Sequence, residues 1–173
     1  MTTELERREA STLCEALYPK LFGALALYTG NRETAEDITQ EVLLRMWRDW
    51  DTVVRLESPD RWALRVGFNL AKSRWRRRRV ERAAAARMQP TDSPEVDGAD
   101  VLAVRSAVRN LAPRQRAAIV SRYFADLSVT DAAEVLGCAP GTVKALTHQA
   151  IANLRASLTM DIDLIDEERE LHG

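Results

Sequence analysis

Apolar residues recur three and four positions apart from Arg32 to Trp50, at Ala35, Ile38, Val42 and Met46, and this spacing predicts a helix with one buried side. The segment before it, Glu4 to Tyr28, repeats the pattern with Leu13, Leu17, Leu21 and Leu25. Gly30 and Asn31 close that first helix and open the second, and Pro19 predicts a kink or a break within it. After a loop, Asp51 to Glu57, the run Ser58-Pro59-Asp60 supplies a cap, a first-position proline and a dipole-matching acid for a third helix reaching Arg79. Wound as a helix, this stretch places Trp62, Val66 and Leu70 on an apolar stripe. Arg61, Arg65, Phe68, Lys72, Trp75, Arg76 and Arg79 fall on another side, with Asn69 at the border.

Four shorter helices are predicted in the second half. Val101 to Leu111 carries apolar residues at Val101, Val104, Val108 and Leu111, and Pro113 opens a helix whose core positions are Ile119, Tyr123 and Phe124. Ser128 with Asp131 forms a capping box for a short helix ending at Leu136 and Gly137. Cys138 and Ala139 make a turn, and Pro140 opens a longer helix to about Leu158. Short helix, glycine-containing turn and longer helix is the plan of a helix-turn-helix, although an ordinary helical hairpin shares it.

Between the halves, residues 88–100 read MQPTDSPEVDGAD, with two prolines, a glycine, four acids and no aromatic residue, which is linker composition. The expected organisation is therefore all-α. A helical domain over 1–87 and a linker over 88–100 lead to a helix-turn-helix domain over 101–158 and an acidic tail over 159–173. A formal net charge of −1 hides strong segregation: Lys72 to Arg87 holds eight cations against Glu81 alone, whereas the last fifteen residues hold six acids against Arg169. Such asymmetry speaks about partners. Two cysteines, Cys14 and Cys138, provide neither a disulfide framework nor metal-ligand spacing, so a reducing cytoplasm is expected. The acidic, polar start is no signal peptide, and no apolar run is long enough to enter a membrane.

The third helix offers cations for phosphates, flat rings for stacking on unpaired bases and a side-chain amide able to read a base edge. By spacing alone, Phe68 and Trp75 also fit a core. On the second helix, Asp37, Gln40, Glu41, Leu44 and Trp47 lie away from the apolar side, as a solvated face or as a docking surface for a basic helix. No phosphate-cradling glycine loop, metal cluster or Ser, His and acid triad is evident, so no catalytic residue, metal site or cofactor is expected.

Three stretches in order resemble the extracytoplasmic-function (ECF, group IV) branch of the sigma-70 family of RNA polymerase sigma factors: AEDITQEVLLRMW at 35–47, RWALRVGFNLAKSRWRRRR at 61–79 and LAPRQRAAIVSRYFADLSVTDAAEVLGCAPGTVKA at 111–145. The resemblance implies that Asp37, Gln40, Glu41, Leu43 and Trp47 contact core RNA polymerase. It places Asn69 near the bases of a melted −10 element, with Arg65, Lys72, Arg74, Arg76 and Arg77 on the backbone; Arg61, Phe68 and Trp75 complete that candidate surface. The second domain would bind the −35 element through Thr142, Lys144, Ala145, His148 and Gln149. Partners implied are core polymerase, promoter DNA and, as a family expectation, an anti-sigma factor. Departures are equally visible: Ala139 stands where the family has a Ser or Thr cap, and the family's Arg-rich recognition helix is reduced to Lys144, His148 and Gln149 before Arg155. That predicts a weakly held or unusual −35 element. A sigma-like mimic that sequesters an anti-sigma factor would have little use for the basic run, and a stand-alone helix-turn-helix regulator leaves the order of the three stretches unexplained.

Overall fold

The computed structural model describes residues 3–84 and 99–171, which form two compact units, Met1–Ser93 and Pro94–Gly173. Every regular element among the described residues is helical.

The first unit contains α1 (Glu4–Thr29), α2 (Arg32–Arg48), a single turn α3 (Trp50–Val53) and α4 (Pro59–Ala84). Its ends are set by local chemistry. Thr3 Oγ1 accepts from the Glu6 amide at 3.2 Å while Glu6 accepts from the Thr3 amide at 2.9 Å, a complete capping box. Gly30, at φ 67°, stops α1 in the left-handed region, and Asn31 Oδ1 then caps α2 by accepting from the Thr34 amide at 2.7 Å. The helix is continuous through the exposed Pro19, so the expected break is absent. Trp50, placed by sequence at the end of α2, instead starts α3, which runs into the expected loop, and Trp50 and Val53 are both buried.

Ala35, Ile38, Val42 and Met46 of α2 are fully buried, as their spacing predicts, where α2 packs on α1, whose own buried residues include Leu21, Ala24, Leu25 and Tyr28. For α4 the expected stripe is wrong. Trp62, Val66 and Leu70 are only half-buried, and the inward line is Ala63, Leu64, Gly67, Phe68 and Ala71. The reason is backbone approach. A Cβ added at Gly67 would lie 3.1 Å from Leu25 Cδ2, so α4 meets α1 along its small residues, and Leu64 and Phe68 fill the space beside that line. Phe68 is 1% exposed and meets Tyr28 edge-on, with ring centroids 4.8 Å apart.

The second unit contains α5 (Ala99–Asn110), α6 (Pro113–Ile119), a π-helical turn at Val120–Phe124, α7 (Val129–Leu136) and α8 (Pro140–Leu171). The sequence-predicted linker lies outside the described residues up to Gly98, and its last two residues belong to α5. α8 packs on α5, α6 and α7, with Leu111, Ile119 and Ala150 buried together beneath Ile151 and Leu154. Tyr123 and Phe124, expected in the core, are exposed, Tyr123 by 65%, and Val104 is exposed as well. The π turn explains the aromatic pair: Ala125 N–H bonds Val120 O five residues back, so the wider turn breaks the helical phase and brings Ser121, Ala125 and Leu127 inward instead. Ser128 Oγ accepts from the Asp131 amide at 3.0 Å to cap α7. Its other end is a Schellman motif, with Cys138 N–H on Ala133 O and Gly137, at φ 65°, on Glu134 O.

Two outcomes follow from these packing arrangements. Phe68→Ala is expected to cost about 3–5 kcal/mol of unfolding free energy by chemical denaturation, the loss of a filled core position. Ala139→Ser, which supplies the missing side-chain acceptor where Ala139 O receives the first amides of α8, is expected to stabilise the second unit by about 0.5–2 kcal/mol in the same assay.

Candidate nucleic-acid and protein-binding faces

Burying Phe68 fixes the rotation of α4 and therefore what it shows outward. Arg65, Asn69 and Arg76 are exposed, with Arg61 and Lys72 half-buried beside them, at the four- and three-residue spacing that builds one continuous row. Asn69 thus stands in the middle of the cations rather than at a border. Arg61 lies 3.9 Å from Glu57 at the helix entrance. Beyond the end of the core, Trp75 is 54% exposed and Arg76, Arg77 and Arg78 are open to solvent. Of the two rings expected to stack on bases, Trp75 is accessible and Phe68 is withdrawn into the core.

Arg74 turns the other way. Its Nη1 donates to Asp37 Oδ2 of α2 at 3.2 Å, and one turn later Arg78 Nη2 donates to Thr34 Oγ1 at 3.3 Å. These bonds tie the basic end of α4 to α2, so Arg74 sits against the acidic helix and not in the outward row.

On α2 itself, Asp37 and Gln40 are exposed, Glu41 and Leu43 are half-buried, and Trp47 is 38% exposed. Leu44, at 66%, is the leucine that lies open. Its position three residues before Trp47 and seven after Asp37 was the signal for it. Neighbouring bonds hold this face in place. Glu36 accepts from both the Tyr18 hydroxyl at 2.6 Å and Gln40 Nε2 at 3.1 Å, and Arg45 Nε donates to Glu41 at 2.8 Å. The bond to Glu36 pushes the Tyr18 hydroxyl above its ordinary pKa. At the helix end, two bonds from Arg48 at 3.0 Å hold the Asp49 carboxyl below the usual carboxylate range. The result is a strip of carboxylates and one amide, continued by Leu44 and Trp47.

In the second unit, Val143 and Ala150 anchor α8, which leaves Lys144, Ala145, His148 and Gln149 exposed on its outer side with Thr142 half-buried. The helix-turn-helix arrangement therefore presents these residues together, with Lys144 as the one cation among them. Among the described residues no three His, Cys, Asp or Glu side chains converge as a metal site needs, and no helix is long and apolar enough to cross a membrane.

Comparison with known proteins gives a consistent outcome. Two family models match, Sigma-70 region 2 over residues 13–81 and Sigma-70, region 4 over residues 102–154. The RNA polymerase sigma-E factor of Streptomyces coelicolor is 32% identical over 139 residues, 79% of this chain and 78% of that protein. The ECF RNA polymerase sigma factor SigL of Mycobacterium tuberculosis is 33% identical over 159 residues, 86% of this chain and 90% of that protein. Among solved structures, the sigma factor RpoE of Bartonella quintana, in complex with the anti-sigma factor NepR, aligns with a TM-score of 0.77 over 89% of this chain and 99% of that one. CnrH, in complex with the cytosolic domain of CnrY, aligns at 0.65 over 90% of each chain. Both are 23% identical to this chain and share its fold.

Because Arg76 and Arg77 are exposed and lie beyond the packed core, Arg76→Ala/Arg77→Ala is expected to leave the melting temperature unchanged. The salt dependence of single-stranded DNA binding, read as log K against log salt, is expected to become shallower by about 1.4, the contribution of two phosphate contacts.

Proposed function

Because the chain belongs to the sigma-70 family of RNA polymerase sigma factors, in its ECF branch, we propose that it docks on core polymerase through α2 and holds opened promoter DNA through α4. It binds core RNA polymerase and directs it to promoters, where it recognises and melts the −10 element and so starts transcription. Its place in group IV and its cytoplasmic location are part of the same reading. The observation that carries the division of labour is one compact unit with an acidic, apolar strip on α2 beside a cationic row on α4 that contains Asn69 and leads to Trp75.

The physical task explains the residue types. Separating base pairs forfeits stacking worth about 1.4 kcal/mol per step, and capturing a freed base on an aromatic ring returns about 1–3 kcal/mol. Trp75 is the ring for that purpose, Asn69 the amide that reads a base edge, and Arg61, Arg65, Lys72, Arg76 and Arg77 the phosphate contacts. On the polymerase side, Asp37, Gln40, Glu41, Leu43 and Trp47 form the contact set, to which the open Leu44 is added. No covalent step is required, so no residue is assigned a catalytic role and no cofactor is needed.

Thr142, Lys144, Ala145, His148 and Gln149 are assigned to the −35 element. With Lys144 the sole cation among them, binding releases few counterions, and the contact is weak and only mildly salt-dependent. Gln149 can read an adenine, and Ala145 can touch a thymine methyl. An anti-sigma factor is proposed as a further partner, by analogy with RpoE, which was solved bound to one.

Run-off transcription with purified core polymerase on a promoter library tests the whole reading. The chain is expected to create start sites absent from polymerase alone, and Leu44→Ala/Trp47→Ala to weaken polymerase binding about tenfold or more while leaving the fold intact. A chain that neither co-elutes with core polymerase nor creates a start site would show the reading to be wrong.

A further inference from the structure

Gln40 lies open on the α2 strip, and its neighbour decides which end of its amide a partner meets. Its Nε2 donates to Glu36 Oε1 at 3.1 Å. A carboxylate only accepts, so the amide nitrogen must face Glu36 and the amide oxygen must face away. Glu36 is itself braced from α1, because the Tyr18 hydroxyl donates to its other oxygen at 2.6 Å. Tyr18 is in turn steadied by its ring, which stacks on Phe22 at 5.9 Å with 5° between planes, and the Arg32 guanidinium lies 5.0 Å over Phe22. A run of contacts thus connects α1 to the sense of one exposed amide.

We propose that Glu36, held by Tyr18, is a positioning residue that turns the Gln40 carbonyl outward, so that Gln40 adds an acceptor to the strip between Asp37 and Glu41. The surface that fits such a strip is one of hydrogen-bond donors, Arg, Lys or free backbone N–H, around an apolar seat for Leu44 and Trp47. A partner group that can only accept, such as a carboxylate, is disfavoured opposite Gln40 by the direction of the amide. The inference rests on the docking role given to α2 above and deepens it, since neither Glu36 nor Tyr18 needs to touch the partner.

The test is competition of full-length variants against labelled wild-type chain for core RNA polymerase, with melting temperature and single-stranded DNA affinity measured alongside. Glu36→Gln keeps the shape but lets Gln40 turn, and Tyr18→Phe keeps the ring stack but frees Glu36. Each of these, like Gln40→Ala, is expected to weaken polymerase binding about two- to tenfold, the range of one lost hydrogen bond. Glu36→Gln/Gln40→Ala is expected to be no weaker than Gln40→Ala alone, with melting and DNA affinity as in the wild type. Wild-type binding by Glu36→Gln beside a weakened Gln40→Ala overturns the positioning role and leaves the docking role standing. Wild-type binding by Gln40→Ala overturns the positioning role and removes Gln40 from the contact set, whereas only wild-type binding by Leu44→Ala/Trp47→Ala as well overturns the docking role. Additive losses or a matching fall in melting temperature overturn the positioning role in favour of a merely structural one.

Discussion

The rotation of α4 about its own axis governs what the first unit can do, and that rotation is set where Gly67 lets the helix backbone approach Leu25 of α1. With the small residues Ala63, Gly67 and Ala71 on the line of contact, Phe68 is forced into the core against Tyr28, and Arg65, Asn69 and Arg76 emerge on the far side. A helix turned by about a third of a revolution would bury part of the cationic row and expose the phenyl ring, at a cost that close-packed interiors do not tolerate. The face proposed above to hold DNA is thus set by the packing of residues on the opposite side of the helix.

The same geometry places the two working faces on neighbouring helices and joins them. Arg74 bonded to Asp37 and Arg78 bonded to Thr34 bridge α4 to α2. The exposed Arg74–Asp37 pair contributes little to stability, on the order of 1 kcal/mol or less. The effect of both bonds is positional: they fix how the acidic strip and the basic helix end lie with respect to each other. A family position that the resemblance assigned to the DNA backbone, Arg74, is in this chain engaged with the helix assigned to polymerase.

The second unit follows a different economy of charge. Its helix-turn-helix is well marked by local signals, with the Ser128 cap and the Schellman turn at Gly137, yet among Thr142, Lys144, Ala145, His148 and Gln149 on α8 the sole cation is Lys144. In the reading proposed above, a module of that kind adds direction more than affinity.

Caps, prolines and glycines act within a few residues, and three- and four-residue spacing is a property of one helix, so the amino-acid sequence by itself determined the all-α class, the order of the helices, the inward side of α2 and the helix-turn-helix. The ordered stretches at 35–47, 61–79 and 111–145 carried the family as well. Tertiary structure alone decided three things. It chose Ala63, Leu64, Gly67, Phe68 and Ala71 over Trp62, Val66 and Leu70 on α4, because both sets obey helical spacing and only the approach to Leu25 separates them. It turned Tyr123 and Phe124 outward, because a single π turn shifts the phase without leaving a mark in the spacing. It also paired Arg74 with Asp37 and Tyr18 with Glu36, since bonds between residues distant in sequence depend on how whole helices pack, and no periodicity within one helix records that.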